Sequence, residues 1–224
     1  MDAINTPTYL RLRSQIRSDI VAGVWPLGAH ITLAQLSQHY QVSTAPVREA
    51  MLQLQGEGVI DMRMHRGAVI PDVDARYIDN IYKLRGALQA MLAREAAERA
   101  TPSQVDALQA LGRVHEEAAA TGDVGACVRA NRALHHFMDS MADNPPALEV
   151  LDARSSLVDA FRHARGYGGG RLDTVIAQHR KLLRAIAQGD GEKAARVAFE
   201  HTESSRNDLL GLLRKPPIPH KESR

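Results

Sequence analysis

Along most of this 224-residue chain, apolar residues recur every three to four positions, the period of helices that bury one face. Residues 7–22 predict a helix carrying Leu10, Ile16 and Ile20, stopped by Gly23 at the C-terminal cap position. Trp25-Pro26-Leu27-Gly28 reads as a turn, and Ala29-His30-Ile31 as a short extended piece. Thr32 can cap a second, short helix with Leu33, Leu36 and Tyr40 inward. After a break at Gln41-Val42, Ser43 caps a third helix whose inward stripe is Val47, Ala50, Met51 and Leu54. The period then changes. Val59 to Met64 and Ala68 to Ile70 partly alternate on either side of His65-Arg66-Gly67, which predicts a β-hairpin.

Pro71-Asp72-Val73-Asp74 interrupts the pattern and predicts a domain boundary, with one domain at residues 1–72 and another at 73–214. Beyond it the chain is helical in period. Residues 76–99 carry Ile78, Ile81, Tyr82, Leu88 and Leu92, and Thr101-Pro102-Ser103-Gln104 is a capping box that opens a helix running to about Ala119. Further helices fit 123–141, 147–164, 172–188 and 191–213, and residues 215–224 read as a disordered tail. The fold class is therefore mainly α, an N-terminal winged helix-turn-helix followed by an antiparallel all-α bundle.

Composition narrows the class. Aromatic residues are only 4% of the chain, which favours closely packed helices over a β-sandwich. A single cysteine, Cys127, excludes an internal disulfide framework and a cysteine-cluster zinc site. No apolar run is long enough to span a bilayer and the N-terminus lacks a secretory pattern, so a cytoplasmic protein is expected. Residues 1–74 hold six arginines, no lysine and seven acids. Nucleic-acid binding must then rest on where those arginines sit rather than on bulk charge.

Helix, short helix, tight break, helix and hairpin is the order that lets the third helix enter a major groove while the wing reaches a neighbouring phosphate. Opposite the third helix's inward stripe lie Thr44, Ala45 and Arg48; Ser43 and Thr44 place hydroxyls and unbonded N–H groups at the helix start, a seat for a phosphate. Arg48 can read a guanine edge or hold a phosphate. Arg63, His65 and Arg66 cluster around Gly67, which would let the backbone approach a duplex. A helical scaffold or protein-docking wing fits the same spacing.

In the second domain, Asn131 and His135 share the inward side marked by Cys127, Val128, Leu134 and Met138. His179 falls in the stripe Ile176, Leu183 and Ile186, and His201 continues Ala194, Val197 and Ala198. Three imidazoles and an amide from three helices could share one metal, or be separate core histidines bonded to hydroxyls or carbonyls. Asp139 and Glu200 read as lying off the inward faces, which leaves a metal-dependent hydrolase without a general base. His136 and Arg132 project from a neighbouring face.

The run Val42-Ser43-Thr44-Ala45-Pro46-Val47-Arg48-Glu49-Ala50-Met51, with Leu27-Gly28, Leu36-Ser37, Gly58-Val59-Ile60 and Arg66-Gly67, resembles the N-terminal domain of GntR-family transcription regulators. Thr44 stands where that family usually has Arg, and Ala34 where it often has a basic residue. The resemblance thus implies a different half-site, or weaker binding with a shallower salt dependence. Leu84-Arg85, Asn131, Leu134-His135, Asn144, His179, Ala185-Ile186, Gly189-Asp190, Ala194 and His201 are similar to the FadR C-terminal (FCD) effector domain, in a VanR-like group by length.

That resemblance implies a homodimeric regulator, a repressor, that binds a double-stranded DNA operator and a small carboxylate effector and stays off membranes. It also implies a divalent metal (zinc, nickel or similar) on Asn131, His135, His179 and His201. Asn131 replaces the family's Asp, and Gln89 stands where Glu is frequent. Arg85, on the stripe of Ile81, Leu88 and Leu92, is either an internal ion-pair partner or a clamp on the effector's carboxylate. A metal-free interaction bundle and, less favoured, the hydrolase are the competing functions.

Overall fold

The structure is a computed structural model and describes residues 6–63 and 66–214. His65 and the expected tail at 215–224 lie outside the described residues. The chain divides into two compact units, one holding the chain up to Val73 together with Ala153–His163, the other holding Asp74–Asp152 and the chain from Ala164 onward.

The first unit begins with α1 (Thr8–Val21), β1 (His30–Ile31), α2 (Leu33–Tyr40) and α3 (Thr44–Gly56), followed by β2 (Asp61–Arg63) and β3 (Gly67–Val69). The buried stripe of α1 is Leu12, Ile16 and Ile20, a strict four-residue spacing. Leu10, expected inward, is only half-buried because it lies two residues off that line. Together with Leu36 of α2 and Val47, Ala50, Met51 and Leu54 of α3, these residues are the core under the helix-turn-helix.

Thr32 and Gln35 close a full capping box at the start of α2. Gln41 turns the chain through the left-handed region (φ 54°), and extended Ser43 then starts α3 in a new direction. An aromatic corner braces this turn: the Trp25 indole N–H donates to the Tyr40 hydroxyl at 2.9 Å, which donates to Asp19 at 2.6 Å. Burial and the Asp19 carboxylate both hold the Tyr40 hydroxyl well above its ordinary pKa.

The hairpin recruits the short extended piece, giving an antiparallel sheet of order β1-β3-β2, with His30 opposite Val69 and Arg63 opposite Gly67. Gly67 has φ +87°, and a Cβ there would run into the Ile31 carbonyl oxygen. Its lack of a side chain is thus accounted for inside the wing, where β1 lies against it.

The second unit holds α4 (Ala75–Arg99), α5 (Pro102–Thr121) and α6 (Val124–Ser140), then the ends of α7 (Pro145–Arg165), then α8 (Arg171–Ala187) and α9 (Gly191–Leu213). Four of these starts have a chemical reason. Asp74, Thr101, Asp123 and Asp190 accept hydrogen bonds from the first turns of α4, α5, α6 and α9, and Pro102 sits at the first position of α5. Ala93, Ala96, Ala97, Ala185, Ala194 and Ala198 line the core with Leu108, Leu134, Met138, Leu182 and Ile186. Such small side chains let helix axes approach closely and explain why so few aromatics suffice. Among the described residues no helix is long and apolar enough to cross a membrane.

Candidate functional site

Two features of the fold gather the chemistry. The first is the outer edge of α3 and the wing. Ser43, Thr44, Ala45 and Arg48 are all exposed on α3, and Arg63 and Arg66 are exposed on the wing. Ser43 occupies the N-cap position but its side chain makes no capping hydrogen bond. The expectation that it caps through its hydroxyl is therefore corrected, and the first N–H groups of α3 have no side-chain cap. Arg66 N–H donates to the Arg63 carbonyl at 3.0 Å, which turns the wing tip. Two other arginines are engaged elsewhere: Arg17 and Arg13 both pair with Glu57, just past the end of α3, the latter at 3.4 Å.

The second feature lies inside the helical unit. His135 from α6, His179 from α8 and His201 from α9 are 8%, 4% and 6% exposed, and one ligand atom from each lies within 4.8 Å of the others. Nε2 of His135 and Nε2 of His179 are 3.2 Å apart. His201 stacks on His135 with ring centroids 5.3 Å apart, and its Nδ1 lies 2.9 Å from the Gln178 side-chain oxygen. Since that oxygen only accepts, His201 carries its proton on Nδ1 and keeps a lone pair on Nε2. Asn131, one turn before His135, is half-buried.

Burial drives the electrostatics here. Desolvation is the main cause that pushes His135 down to about 3, and the positive charge of Arg85 adds to it. His179 and His201 are held well below the usual imidazole range for the same first reason. All three are neutral, the form that ligates a metal. Two nitrogens on one tetrahedral ion lie about 3.4 Å apart for bonds of about 2.0–2.1 Å, close to the observed 3.2 Å. Nδ1 of His179 is buried without a hydrogen-bond partner. The donor set therefore fits a divalent ion.

Sequence reasoning missed one neighbour and misplaced another. His115 of α5 is 1% exposed; its ring packs edge-on to His179 at 4.9 Å and its Nε2 lies 3.6 Å from Cys127 Sγ. Its spacing from Leu108 and Gly112 on one face was the available signal. Asp139, expected off the inward face, is 4% exposed, and that expectation is corrected. The reason is that α6 packs against both α4 and α5, so its inward face is wide enough to include Asp139 beside Met138.

Burial pushes the Asp139 carboxyl up to about 7, against the pull of a hydrogen bond from Gln89 and the charge of Arg85. Gln89 itself is buried, with its amide 3.4 Å from Nδ1 of His135. Arg85 is half-buried, its guanidinium 5.3 Å from the Tyr82 ring centroid. His136, as expected, is exposed, and it pairs with Asp152 at 3.3 Å.

A helix-turn-helix with a three-stranded wing, followed along the chain by a helical domain with a polar interior, is the arrangement of a DNA-binding transcriptional regulator, and the family matches carry that class. Residues 8–70 match the family described as bacterial regulatory proteins, gntR family, and residues 80–204 match the FCD domain. The chain belongs to the GntR family of bacterial regulators and carries an FCD domain, so it is a regulator and not an enzyme. It is 25% identical to the uncharacterized HTH-type transcriptional regulator YdhC of Bacillus subtilis (strain 168), over 93% of each chain. It is 24% identical to the HTH-type transcriptional repressor RspR of Escherichia coli (strain K12), over 88% of this chain and 86% of RspR. The solved structure of E. coli McbR/YncC matches the fold with a TM-score of 0.83 at 22% identity, covering 93% of this chain and 100% of that one.

Proposed function

We propose that this regulator is a homodimeric repressor of the VanR-like group whose operator affinity is set by a small carboxylate bound in the helical domain. The observation that carries the DNA half is the joint exposure of Ser43, Thr44, Ala45 and Arg48 on α3 and of Arg63 and Arg66 on the wing. In this reading Arg48 contacts a base edge, and Ser43, Thr44 and Ala45 present hydroxyl and backbone N–H groups to a phosphate. Arg63, His65 and Arg66 hold the neighbouring backbone, and Gly67 shapes the wing that carries them.

For the effector half, the supporting observation is the convergence of three buried, neutral imidazoles from three helices. His135, His179 and His201 would hold a divalent ion such as zinc or nickel, with the Asn131 amide oxygen as a fourth donor. The ion's contribution is positive charge that draws an anion, which matters more where Asn131 brings no charge of its own. Arg85 would meet the other end of the carboxylate. Regulation follows only if the effector binds the operator-competent and operator-incompetent states unequally.

The test is fluorescence anisotropy on a duplex from the gene's own upstream region, with elemental analysis of protein purified without chelator. Specific binding is expected, and Arg48→Ala should lose about 1–3 kcal/mol of it. Absence of specific binding at moderate salt, with or without metal, would sink the DNA half. Absence of stoichiometric metal would sink the ion.

A further inference from the structure

We infer that Gln89 is a positioning residue that decides which nitrogen of His135 carries the proton, and that its amide must turn over before His135 can serve as a ligand. This rests on the reading of His135, His179 and His201 as a metal-binding set. Of that set, Gln89 meets His135, and it acts through that ring.

Few protons are available around this one buried amide. The Gln89 amide nitrogen lies 3.4 Å from Nδ1 of His135, and a hydrogen bond from Gln89 also reaches the Asp139 carboxylate. At its other end, the amide oxygen accepts from the Thr202 hydroxyl at 3.1 Å. With the nitrogen on the His135 side, Nδ1 of His135 is an acceptor, so the ring proton sits on Nε2. That proton points at Nε2 of His179, 3.2 Å away, and occupies the lone pair a metal would need. His201 is arranged the other way, with its Nδ1 proton held by Gln178 and its Nε2 open. One ligand is ready and one is latched.

The latch can open because both ends of the amide tolerate reversal. The Thr202 hydroxyl also lies 2.9 Å from the Ala198 carbonyl and has one proton to give. If that proton goes to Ala198, the hydroxyl oxygen can accept from a reversed Gln89. On the His135 side, a reversed amide offers its oxygen to an Nδ1 proton, which leaves Nε2 with its lone pair. The reversed amide keeps partners at Thr202 and His135 at the cost of its hydrogen bond to Asp139, and what changes is the tautomer of His135.

The test reads the tautomer in metal-free protein, by long-range ¹H–¹⁵N correlation of the His135 ring, and reads affinity by cobalt(II) titration. In the wild-type protein the proton is expected on Nε2. Gln89→Glu presents an acceptor-only carboxylate to Nδ1, so the proton should move there and cobalt(II) should bind about tenfold tighter or more. Added negative charge alone would raise affinity without moving the proton, so the tautomer separates the two explanations.

If Gln89→Glu does not fold, Gln89→Met, with neither donor nor acceptor, should show both tautomers in exchange. A His135 tautomer unchanged from wild type in the variants that fold overturns the inference. Should the wild-type protein bind no cobalt(II), the metal reading falls, while the tautomer of the metal-free variants still decides the role of Gln89.

Discussion

Asp139 shows what a single buried acid does to stability. Its carboxyl is pushed up to about 7 from an ordinary 3.8, chiefly by burial. An acid whose folded pKa is raised favours the folded state while protonated, below its unfolded pKa. That contribution is lost as pH rises through the folded value. The wild-type protein should therefore lose stability between about pH 4 and pH 7, by on the order of 4 kcal/mol at most, relative to Asp139→Asn. Urea unfolding at pH 5 and pH 7.5 measures it; a gap that fails to widen at the higher pH would show that Asp139 is already ionised in the fold.

The residue also marks where sequence reading stopped. His135, His179 and His201 were legible because each continues an apolar stripe on its own helix. Asp139 and His115 were not, because whether a flanking position is inside depends on how many helices cover it.

At the level of elements, starts and stops were the most legible part of the chain. Thr101, Pro102 and Gln104 announce α5 by a mechanism that does not depend on the rest of the fold, and the structure forms that capping box in full. The same reasoning overreached at Ser43, where the residue type is right but the hydroxyl makes no capping bond.

A contrast between two caps follows. Thr32→Ala removes a formed capping box and should cost about 1 kcal/mol. Ser43→Ala should change stability by only a few tenths of a kcal/mol, while weakening operator binding if the hydroxyl contacts a phosphate. Thermal unfolding of the two variants side by side checks this, and an equal loss would mean that Ser43 does cap its helix. The alternation at 59–70 gave the hairpin, but nothing local said that His30 and Ile31 would complete the sheet, because strand pairing is decided by partners distant in sequence.

For the molecule as a whole, the division into units does not follow the order of the chain. Ala153–His163, from the middle of α7, belongs with the reading head rather than with the helical unit that holds the rest of that helix. Linear punctuation such as Pro71-Asp72 marks where the chain leaves a unit, but carries no information about a segment that comes back.

Whole-molecule charge was equally uninformative until the arginines were placed. Arg48, Arg63 and Arg66 face outward, while Arg13 and Arg17 are bound to one carboxylate, Glu57. With Arg13 and Arg17 held in this way and Arg11 the one remaining arginine of α1, this lysine-free stretch is expected to grip a duplex of arbitrary sequence weakly. Glu57→Gln would release both guanidiniums, and each one that found a phosphate should steepen the logarithmic salt dependence by about 0.9. On a random duplex, titrated with salt, the variant is expected to bind more tightly than the wild type, and unchanged binding would refute this. Tighter binding by the variant would make Glu57 a brake on promiscuity: by holding two cations, it leaves the search for the right site to the few that can tell one site from another.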